Sequence, residues 1–293
     1  MSAHEVRLLL VDDDPSAIQV MSKMLADYPD QRFAMSGQVA LQLAREATPD
    51  LILLDAEMPG MSGFAVFKAL QADPVLARVP VIFATSHHST VVELTALEQG
   101  AADFVTKPLD GDQLLARVRA HLRNKPRGDA TASRPATSQA ERQRAPTRPC
   151  LLIVDDNVAA IQMLSHTLSG LGDCHFAKSA DEALRLAHDL RPQLVLLDAH
   201  MPEVDGFEVA AAMRAQPVFD QVPIVFITRF ADPANEKRAF DVGAADFIAK
   251  PYTPAVLLAR LRNLLDLRRG DDLGPAGSGE GPASGAPSAS RLR

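Results

Sequence analysis

The 293-residue chain has no tryptophan and only two tyrosines, and its formal net charge is −7. Domains that bind nucleic acid usually present a basic face, and single strands stack on aromatic side chains. Both features are lacking, so we expect no nucleic-acid partner. Cysteine is scarce too, with Cys150 and Cys174 alone. Two cysteines provide no disulfide framework, which favours a reducing, cytoplasmic location.

Long apolar runs are also missing. None approaches the roughly 20 residues that a membrane-spanning helix needs. The N-terminal sequence MSAHEVRLLLVDDDP has too short an apolar segment for a secretory signal. We therefore expect no membrane partner. A composition of 47% hydrophobic and 23% charged residues is instead typical of a globular protein, and the length suffices for two domains.

One stretch of the chain occurs twice. Residues 50–64 read DLILLDAEMPGMSGF and residues 193–207 read QLVLLDAHMPEVDGF, with Asp55 and Asp198 at equivalent positions 143 residues apart. The same separation relates other pairs: Asp12 and Asp155, Asp13 and Asp156, Thr85 and Thr228, Lys107 and Lys250, Gly100 and Gly243. Chance does not preserve one offset at so many positions, so the chain contains a duplicated domain.

Each repeat alternates short apolar runs with amphipathic segments, a pattern that predicts an α/β fold with a parallel sheet. In the first repeat the predicted strands are residues 6–11, 32–35, 51–54, 81–84 and 103–106. We predict two doubly wound, five-stranded domains, at residues 6–123 and 150–269. Between them, residues 124–149 hold six basic and two acidic residues and predict a flexible basic linker. Residues 270–293 predict a disordered tail, with no third folded domain.

Polar residues follow the predicted strands in a fixed order. In the first domain these are Asp12 and Asp13, Asp55, Thr85 and Lys107, and in the second Asp155 and Asp156, Asp198, Thr228 and Lys250. The carboxyl ends of neighbouring parallel strands lie together, so each set should form one pocket. Crowded carboxylates favour a hard cation with oxygen ligands such as Mg²⁺. A carboxylate nucleophile with a metal, a lysine and a hydroxyl indicates phosphoryl transfer to Asp55 and Asp198.

These motifs resemble the CheY-like receiver domains of bacterial two-component response regulators. The resemblance rests on LLLVDDDP, LILLDAEMPGMSGF, VPVIFATS and GAADFVTKP in the first domain and on LLIVDDN, LVLLDAHMPEVDGF, VPIVFIT and GAADFIAKP in the second. It implies a flavodoxin-like fold, Mg²⁺, and phosphorylation by a sensor histidine kinase or a phosphotransfer protein. It also places Glu57 and His200 at the metal site and assigns Phe104 and Phe247 as switch residues.

Two departures distinguish the second domain. Arg229 follows Thr228 where the family usually has a small residue and where the first domain has Ser86. The long side chain of Arg229 could obstruct access to Asp198. Alternatively, its positive charge could bind the phosphoryl group. The positions that line the path of attacking water also differ between the domains, and they hold Glu57 and His87 in the first and His200 and Phe230 in the second. We expect Asp55 to be phosphorylated faster and Asp198 to keep its phosphate longer.

The sequence is compatible with several modes of action. We favour a phosphorelay protein without an output domain, which signals through phosphorylation-dependent contacts with a downstream protein and is not a turnover enzyme. The alternatives are a phosphate sink, the regulatory receiver pair of a longer response regulator such as a diguanylate cyclase, and a protein with one silent dimerisation module. A phosphatase with an aspartate nucleophile is disfavoured, because its nucleophile would follow the first strand. The sequence identifies neither the kinase nor the downstream target. It does not determine the oligomeric state, and a homodimer is compatible with it.

Overall fold

The structure is a computed structural model that describes residues 6–86, 90–123, 148–202, 205–230 and 232–272. The predicted linker lies outside these residues except for 148 and 149, and the predicted tail except for 270–272. His87 and His88 also lie outside them. Within the described residues, no helix combines the length and the apolar character that crossing a membrane requires.

The first unit is a five-stranded parallel sheet between two layers of helices. Its strands are β1 (Arg7–Val11), β2 (Asp30–Ala34), β3 (Leu51–Asp55), β4 (Val81–Thr85) and β5 (Asp103–Thr106). Its helices are α1 (Pro15–Met24), α2 (Gly37–Glu46), α3 (Gly63–Gln71), α4 (Thr90–Glu98) and α5 (Gly111–Arg123). The strand order is β2-β1-β3-β4-β5, and every pairing is parallel.

The second unit repeats this topology. Its strands are β6 (Cys150–Val154), β7 (Asp173–Ala177), β8 (Leu194–Leu197), β9 (Ile224–Thr228) and β10 (Asp246–Ala249). Its helices are α6 (Val158–Leu168), α7 (Ala180–Leu190), α8 (Gly206–Arg214), α9 (Pro233–Asp241) and α10 (Pro254–Asp272). The strand order β10-β9-β8-β6-β7 is that of the first sheet read from the other edge. The two all-parallel sheets confirm the predicted fold class.

Strand alternation explains how the core is divided. In β1, Leu8 and Leu10 pack in the cluster that includes residues of α1 and α5, whereas Leu9 and Val11 pack in the cluster with residues of α2 and α3. Because successive side chains of a strand point to opposite faces, a central strand covered by helices on both sides must be apolar throughout.

Capping side chains mark where the helices begin. The Asp14 side chain accepts a hydrogen bond from the Ser16 N–H at the start of α1, and Ser36 accepts one from the Val39 N–H at the start of α2. Helix α10 runs through Gly270 and ends at Asp272. A glycine inside a helix costs only about 1 kcal/mol, so it does not always end one.

The two units pack against each other through equivalent faces. Helices α4 and α5 of the first unit contact α10 and α9 of the second, respectively. Leu97 of α4 packs in one cluster with Val256 and Ala259 of α10. On the other side, Ala116 and Ala120 of α5 belong to the main apolar cluster of the second unit. The sequence analysis did not predict this interface.

Buried charges occupy the centre of the interface. Arg260 of α10 donates to Asp246 of its own unit at 3.1 Å and to Asp103 of the other unit at 2.9 Å. It also pairs with Glu93 at 2.8 Å. Arg117 pairs with Asp103 at 2.6 Å and, across the interface, with Glu236 at 2.6 Å. The two arginines therefore link both sheets through the aspartates at the start of β5 and β10.

The pKa values of these groups reflect this pairing. Burial alone would raise the pKa of Asp103, but Arg117, Arg260 and His121 outweigh it and hold that pKa well below its usual range. Burial opposes the charge of Arg260 as well, and the surrounding carboxylates nonetheless raise its pKa well above the usual value. Burial raises the pKa of Glu236 above its usual value although Arg117 opposes this shift, so the charges of the cluster depend on their partners.

Candidate functional site

The first site lies at the carboxyl edge of the first sheet. Asp12 follows β1, Asp55 ends β3, Thr85 ends β4, and Lys107 follows β5. The strand order places these ends side by side. Asp12, Asp55 and Thr85 are buried. The Lys107 Nζ donates to Asp12 Oδ2 at 2.6 Å and to Asp55 Oδ1 at 3.1 Å. The structure thus brings the predicted residues into one pocket.

Three carboxylates of this pocket could hold a metal. Each of Asp12, Asp13 and Asp55 offers an oxygen, and these oxygens lie within 4.8 Å of one another. Asp12 and Asp55 are buried while Asp13 is exposed, which leaves one side of the group open to solvent. Oxygen ligands on an open site suit Mg²⁺, which keeps several of its waters. The donor set therefore fits the cation that the sequence predicts.

The electrostatics of the site depend on its lysine. Burial raises the pKa of Asp55 above its usual value, although Lys107 opposes this shift through its hydrogen bond and its charge. Burial also works against the charge of Lys107, but the hydrogen bonds that it donates to Asp12 and Asp55 outweigh it, and the pKa of Lys107 is raised. The lysine is therefore cationic at neutral pH and lies beside the candidate nucleophile.

A glycine allows the loop after β3 to pass close to the site. A Cβ atom at Gly63 would lie 2.0 Å from the carbonyl oxygen of Asp55. Gly206 meets the carbonyl oxygen of Asp198 at the same distance in the second unit. The sequence analysis gave Gly63 no role beyond its place in the motif LILLDAEMPGMSGF. The structure shows that its lack of a side chain lets α3 begin directly against the backbone of the candidate nucleophile.

The remaining predicted residues of the first unit occupy two kinds of environment. Glu57 is exposed, two residues beyond Asp55. Phe104 on β5 is buried in the cluster that includes residues of α2 and α3. Its neighbour Asp103 faces the second unit through Arg260. The predicted switch position thus adjoins the interface between the units.

The second site repeats the lysine bridge of the first. Lys250 Nζ donates to Asp155 Oδ2 at 3.0 Å and to Asp198 Oδ2 at 2.8 Å. Burial disfavours the charge of this lysine, yet its bonds to Asp198 and Asp155 raise its pKa. Thr228 is fully buried at the end of β9, as Thr85 is at the end of β4. The contacts of the predicted lysine with two predicted aspartates are therefore present in both units, and the catalytic roles of the set stay predictions.

The carboxylates of the two sites differ in arrangement. Both oxygens of Asp198 accept hydrogen bonds, because the His200 N–H donates to Oδ1 at 3.1 Å while Lys250 takes Oδ2. Among the described residues, Asp155, Asp156 and Asp198 do not form a compact group comparable to that of the first unit. The second site therefore presents a different arrangement of carboxylate oxygens to a cation.

An aromatic pair lies beside the second site. The rings of His200 and Phe230 are 4.5 Å apart and tilted by 48°, and Phe207 lies at the edge of the imidazole with a centroid distance of 6.4 Å. The Phe230 N–H donates to the Thr228 hydroxyl oxygen at 3.1 Å, which ties the loop to the end of β9. His200 and Phe230 hold the two positions that the sequence analysis places on the path of attacking water, and the sequence gives no sign that their rings meet.

Arg229 does not take part in this pairing. Its residue is exposed, and it forms no ion pair or hydrogen bond with another described residue. The predicted role of Arg229 as a gate or as a phosphate-recruiting residue stays a prediction. The tilted ring pair of His200 and Phe230 joins the loops that follow β8 and β9, and it is a second candidate obstacle.

Replacing Phe230 with alanine should therefore speed both phosphorylation and dephosphorylation of Asp198. We expect an effect of several-fold, since in-line phosphoryl transfer depends on unobstructed approach. The measurement is labelling by acetyl phosphate, and subsequent loss of label, in an Asp55→Asn background. Arg229→Ala is the matched control. A larger rate increase for Arg229→Ala than for Phe230→Ala would contradict this assignment and restore arginine as the gate.

Comparison with known proteins gives a consistent result for both units. The model of the response regulator receiver domain family matches residues 8–119 and again residues 151–262. The response regulator PleD of Caulobacter vibrioides is 32% identical over 274 residues, which make up 91% of this chain and 60% of PleD. The chain thus spans less than two thirds of the length of that relative.

Other similar proteins match over different extents. A probable cyclic di-GMP phosphodiesterase of Vibrio cholerae is 42% identical over 118 residues, which cover 40% of this chain and 27% of that protein. A solved structure of a probable two-component system response regulator/GGDEF domain protein is 23% identical, with a TM-score of 0.38. It covers 90% of this chain and 99% of that structure.

Proposed function

Because this chain belongs to the response regulator receiver domain family through both of its α/β units, we propose that it is a phosphorelay protein that accepts phosphoryl groups on Asp55 and Asp198. The observation that carries the proposal is the lysine bridge that each unit forms. Lys107 joins Asp12 to Asp55, and Lys250 joins Asp155 to Asp198. The phosphoryl donor is a sensor histidine kinase or a phosphotransfer protein.

The chemistry follows from these positions. A carboxylate oxygen of Asp55 attacks the phosphorus, a phosphorus–oxygen bond forms, and the bond from phosphorus to the donor nitrogen breaks. Lys107 turns from Asp55 to the new phosphoryl oxygens, and the Thr85 hydroxyl donates to another of them. Mg²⁺, when bound by Asp12, Asp13 and Asp55, supplies positive charge against the transferring group. Asp198, Lys250 and Thr228 play the same parts in the second unit.

The product of this reaction is a modified receiver, and we propose that it signals through protein contacts. Each site undergoes a single phosphorylation and a later hydrolysis, so the receivers do not act as turnover enzymes. Phe104 and Phe247, buried beside the sites, are the proposed switch residues. The downstream protein is expected to recognise the surface that changes with them. We place this activity in the cytoplasm.

A second candidate is a regulatory receiver pair within a longer response regulator. The observation that favours it is the extent of the similarity to PleD, which runs through both units but covers only 60% of that protein. In that case, phosphorylation would control a domain joined to the receivers rather than a separate partner. The phosphorylation chemistry is the same in both candidates.

Transfer from a phosphohistidine donor should require a divalent cation. With a purified, autophosphorylated histidine kinase as donor, we expect label on this chain in Mg²⁺ and at least a tenfold slower transfer in EDTA. The reason is that Asp12, Asp13 and Asp55 repel the incoming phosphoryl group unless their charge is offset. Mn²⁺ should restore transfer.

The control is the Asp55→Asn/Asp198→Asn double variant, which should take no label under any condition. Equal transfer in Mg²⁺ and in EDTA would contradict the metal assignment. Label on the double variant would contradict the assignment of both acceptor residues.

A further inference from the structure

A cleft lies beside the candidate acceptor of the first receiver, between the loop after β3 and helix α4. Its volume is about 530 Å³, within the range of roughly 300–1,000 Å³ that small-ligand sites span. The apolar residues that line it are Ala56, Met58, Pro59, Phe64 and Val92. Because Ala56 directly follows Asp55 in the chain, a group that enters the cleft lies next to this carboxylate.

Phe64 gives the cleft an aromatic surface. Its ring stacks on that of Phe83, with centroids 4.9 Å apart and an interplanar angle of 23°. Phe64 and Val92 are only partly buried against the core cluster, so both keep apolar surface for a ligand. Aromatic rings associate by stacking or by edge-to-face contact, which adds to the energy of apolar burial. The cleft therefore suits another ring.

The second receiver covers the equivalent ring with its own side chains. Phe207, at the position of Phe64, stacks on Phe226 at 4.8 Å but is only 3% exposed. The guanidinium of Arg238 lies over its ring at 4.1 Å. The imidazole of His200 meets the same ring edge to face at 6.4 Å. The surface that Phe64 offers to a ligand is thus already occupied at Phe207.

The first receiver lacks the residues that provide this cover. Thr95 takes the position of Arg238, and its hydroxyl donates to the carbonyl oxygen of Val91 on its own helix. Ser62 takes the position of Asp205, which pairs with Arg238 at 2.7 Å. Neither member of the covering ion pair is therefore encoded in the first receiver.

The two candidate acceptors themselves are similarly accessible. The side chain of Asp55 is 9% exposed and that of Asp198 is 14% exposed. The receivers thus differ in the space beside the carboxylate more than in the exposure of the carboxylate. This difference affects a phosphodonor according to the size and chemistry of the group next to its phosphoryl moiety.

We propose that the first receiver favours phosphodonors that carry an aromatic ring next to the phosphoryl group, and that the second receiver lacks this preference. The ring binds in the cleft against Phe64 and Val92. The inference rests on the proposed phosphorylation of Asp55 and Asp198. As the bond from phosphorus to the acceptor forms, the bond from phosphorus to the donor breaks, and the ring departs with the leaving group.

Two acyl phosphates that differ in one group provide the test. Acetyl phosphate carries a methyl group and releases acetate, whereas benzoyl phosphate carries a phenyl ring and releases benzoate. The labelling rate with benzoyl phosphate is divided by the rate with acetyl phosphate, so that differences between the sites in metal binding or in the chemical step cancel. Asp55 is measured in an Asp198→Asn background and Asp198 in an Asp55→Asn background. We expect a ratio about tenfold higher at Asp55, the lower end of discrimination by an apolar pocket.

A single polar substitution should remove the preference. Val92→Asn introduces the residue that the second receiver has at position 235, and it should lower the ratio at Asp55 to that measured at Asp198. Val91→Asn is the matched control, since Val91 is exposed on the same helix and lies outside the cleft lining. The control should keep the wild-type ratio. Circular dichroism checks that both variants are folded.

A second variant tests the same surface without changing Val92. Ser62→Asp/Thr95→Arg transplants the ion pair that covers Phe207, and the new guanidinium should lie over Phe64. Aspartate at position 62 can still accept a hydrogen bond at the start of α3, as Asp205 does at the start of α8. The ratio at the first site should again fall to the value of the second.

Equal ratios at Asp55 and Asp198 in the wild type would overturn the proposal, while labelling of both residues by acetyl phosphate would leave the proposed function intact. A ratio at Asp55 that neither Val92→Asn nor Ser62→Asp/Thr95→Arg lowers would also overturn it, since the ring would then bind elsewhere. Labelling by neither donor would contradict the proposed function, and the proposed preference would fall with it.

Discussion

Replacing Arg260 with alanine is expected to open the interface between the two receivers and to destabilise both. Arg260 is the residue that binds Asp103, Asp246 and Glu93 together. Its side chain is only 8% exposed, so water cannot take over its role. Removing one partner of a buried ion pair leaves uncompensated charge, which costs about 3–5 kcal/mol.

The expected result is an increase in the radius of gyration and a lower denaturation midpoint. Small-angle scattering measures the first, and chemical denaturation followed by circular dichroism measures the second. Arg262→Ala is the matched control, because Arg262 lies on the same helix and is exposed. If Arg260→Ala and Arg262→Ala behave alike in both measurements, the charged cluster does not hold the receivers together.

Replacing Lys107 with alanine should reduce phosphorylation of Asp55 by about two to three orders of magnitude, the usual effect of removing one preorganised donor to a developing charge. The Lys107 Nζ lies 3.1 Å from Asp55 Oδ1, and we propose that it binds the phosphoryl oxygens after transfer. The loss should be confined to the first site, because Lys250 serves Asp198 independently.

The measurement is the rate of acetyl phosphate labelling in an Asp198→Asn background, where label reports Asp55 alone. Lys68→Ala is the control, since Lys68 is exposed on α3 and away from the pocket. Labelling of Lys107→Ala at the rate of the control would show that the bridge between Asp12 and Asp55 has no catalytic role.

The sheet and the pockets could be predicted from the sequence because their determinants are local. A run such as Leu51–Leu54 is apolar at every position, which a strand buried on both faces requires, and Asp55 at its end identifies the carboxyl edge. Capping residues such as Ser36 likewise indicate where a helix begins. Once the strand order is known, the meeting of Lys107 with Asp55 follows from topology.

The interface between the receivers could not be predicted in this way. Arg117 and Arg260 are found on helices that also carry exposed arginines, Arg119 and Arg262, and the sequence does not distinguish the buried pair from the exposed one. One signal was present, since Glu93, Asp103 and Arg117 recur 143 residues later. Identical charges at equivalent positions do not indicate which faces of the two receivers are in contact, because that depends on tertiary packing.

The difference between the two metal pockets was also beyond sequence reasoning. All three aspartates recur in the second receiver, yet Asp198 accepts the His200 amide and does not join Asp155 and Asp156 in a compact group. The hydrogen bond from the His200 amide depends on the conformation of the loop after β8, which no residue pattern specifies. The sequence did predict that the receivers would differ at His200 and Phe230, and the role of Arg229 as a gate or as a phosphate-recruiting residue stays a prediction.

The central claim, that both units are working receivers, is tested most directly by counting phosphoryl groups on the intact chain. Under saturating acetyl phosphate and Mg²⁺, intact-protein mass spectrometry should show species with two phosphoryl groups for the wild type. It should show one for Asp55→Asn, one for Asp198→Asn and none for the double variant. A wild-type chain that never exceeds one phosphoryl group, with Asp198→Asn unchanged from it, would contradict the claim and make the second unit a silent module.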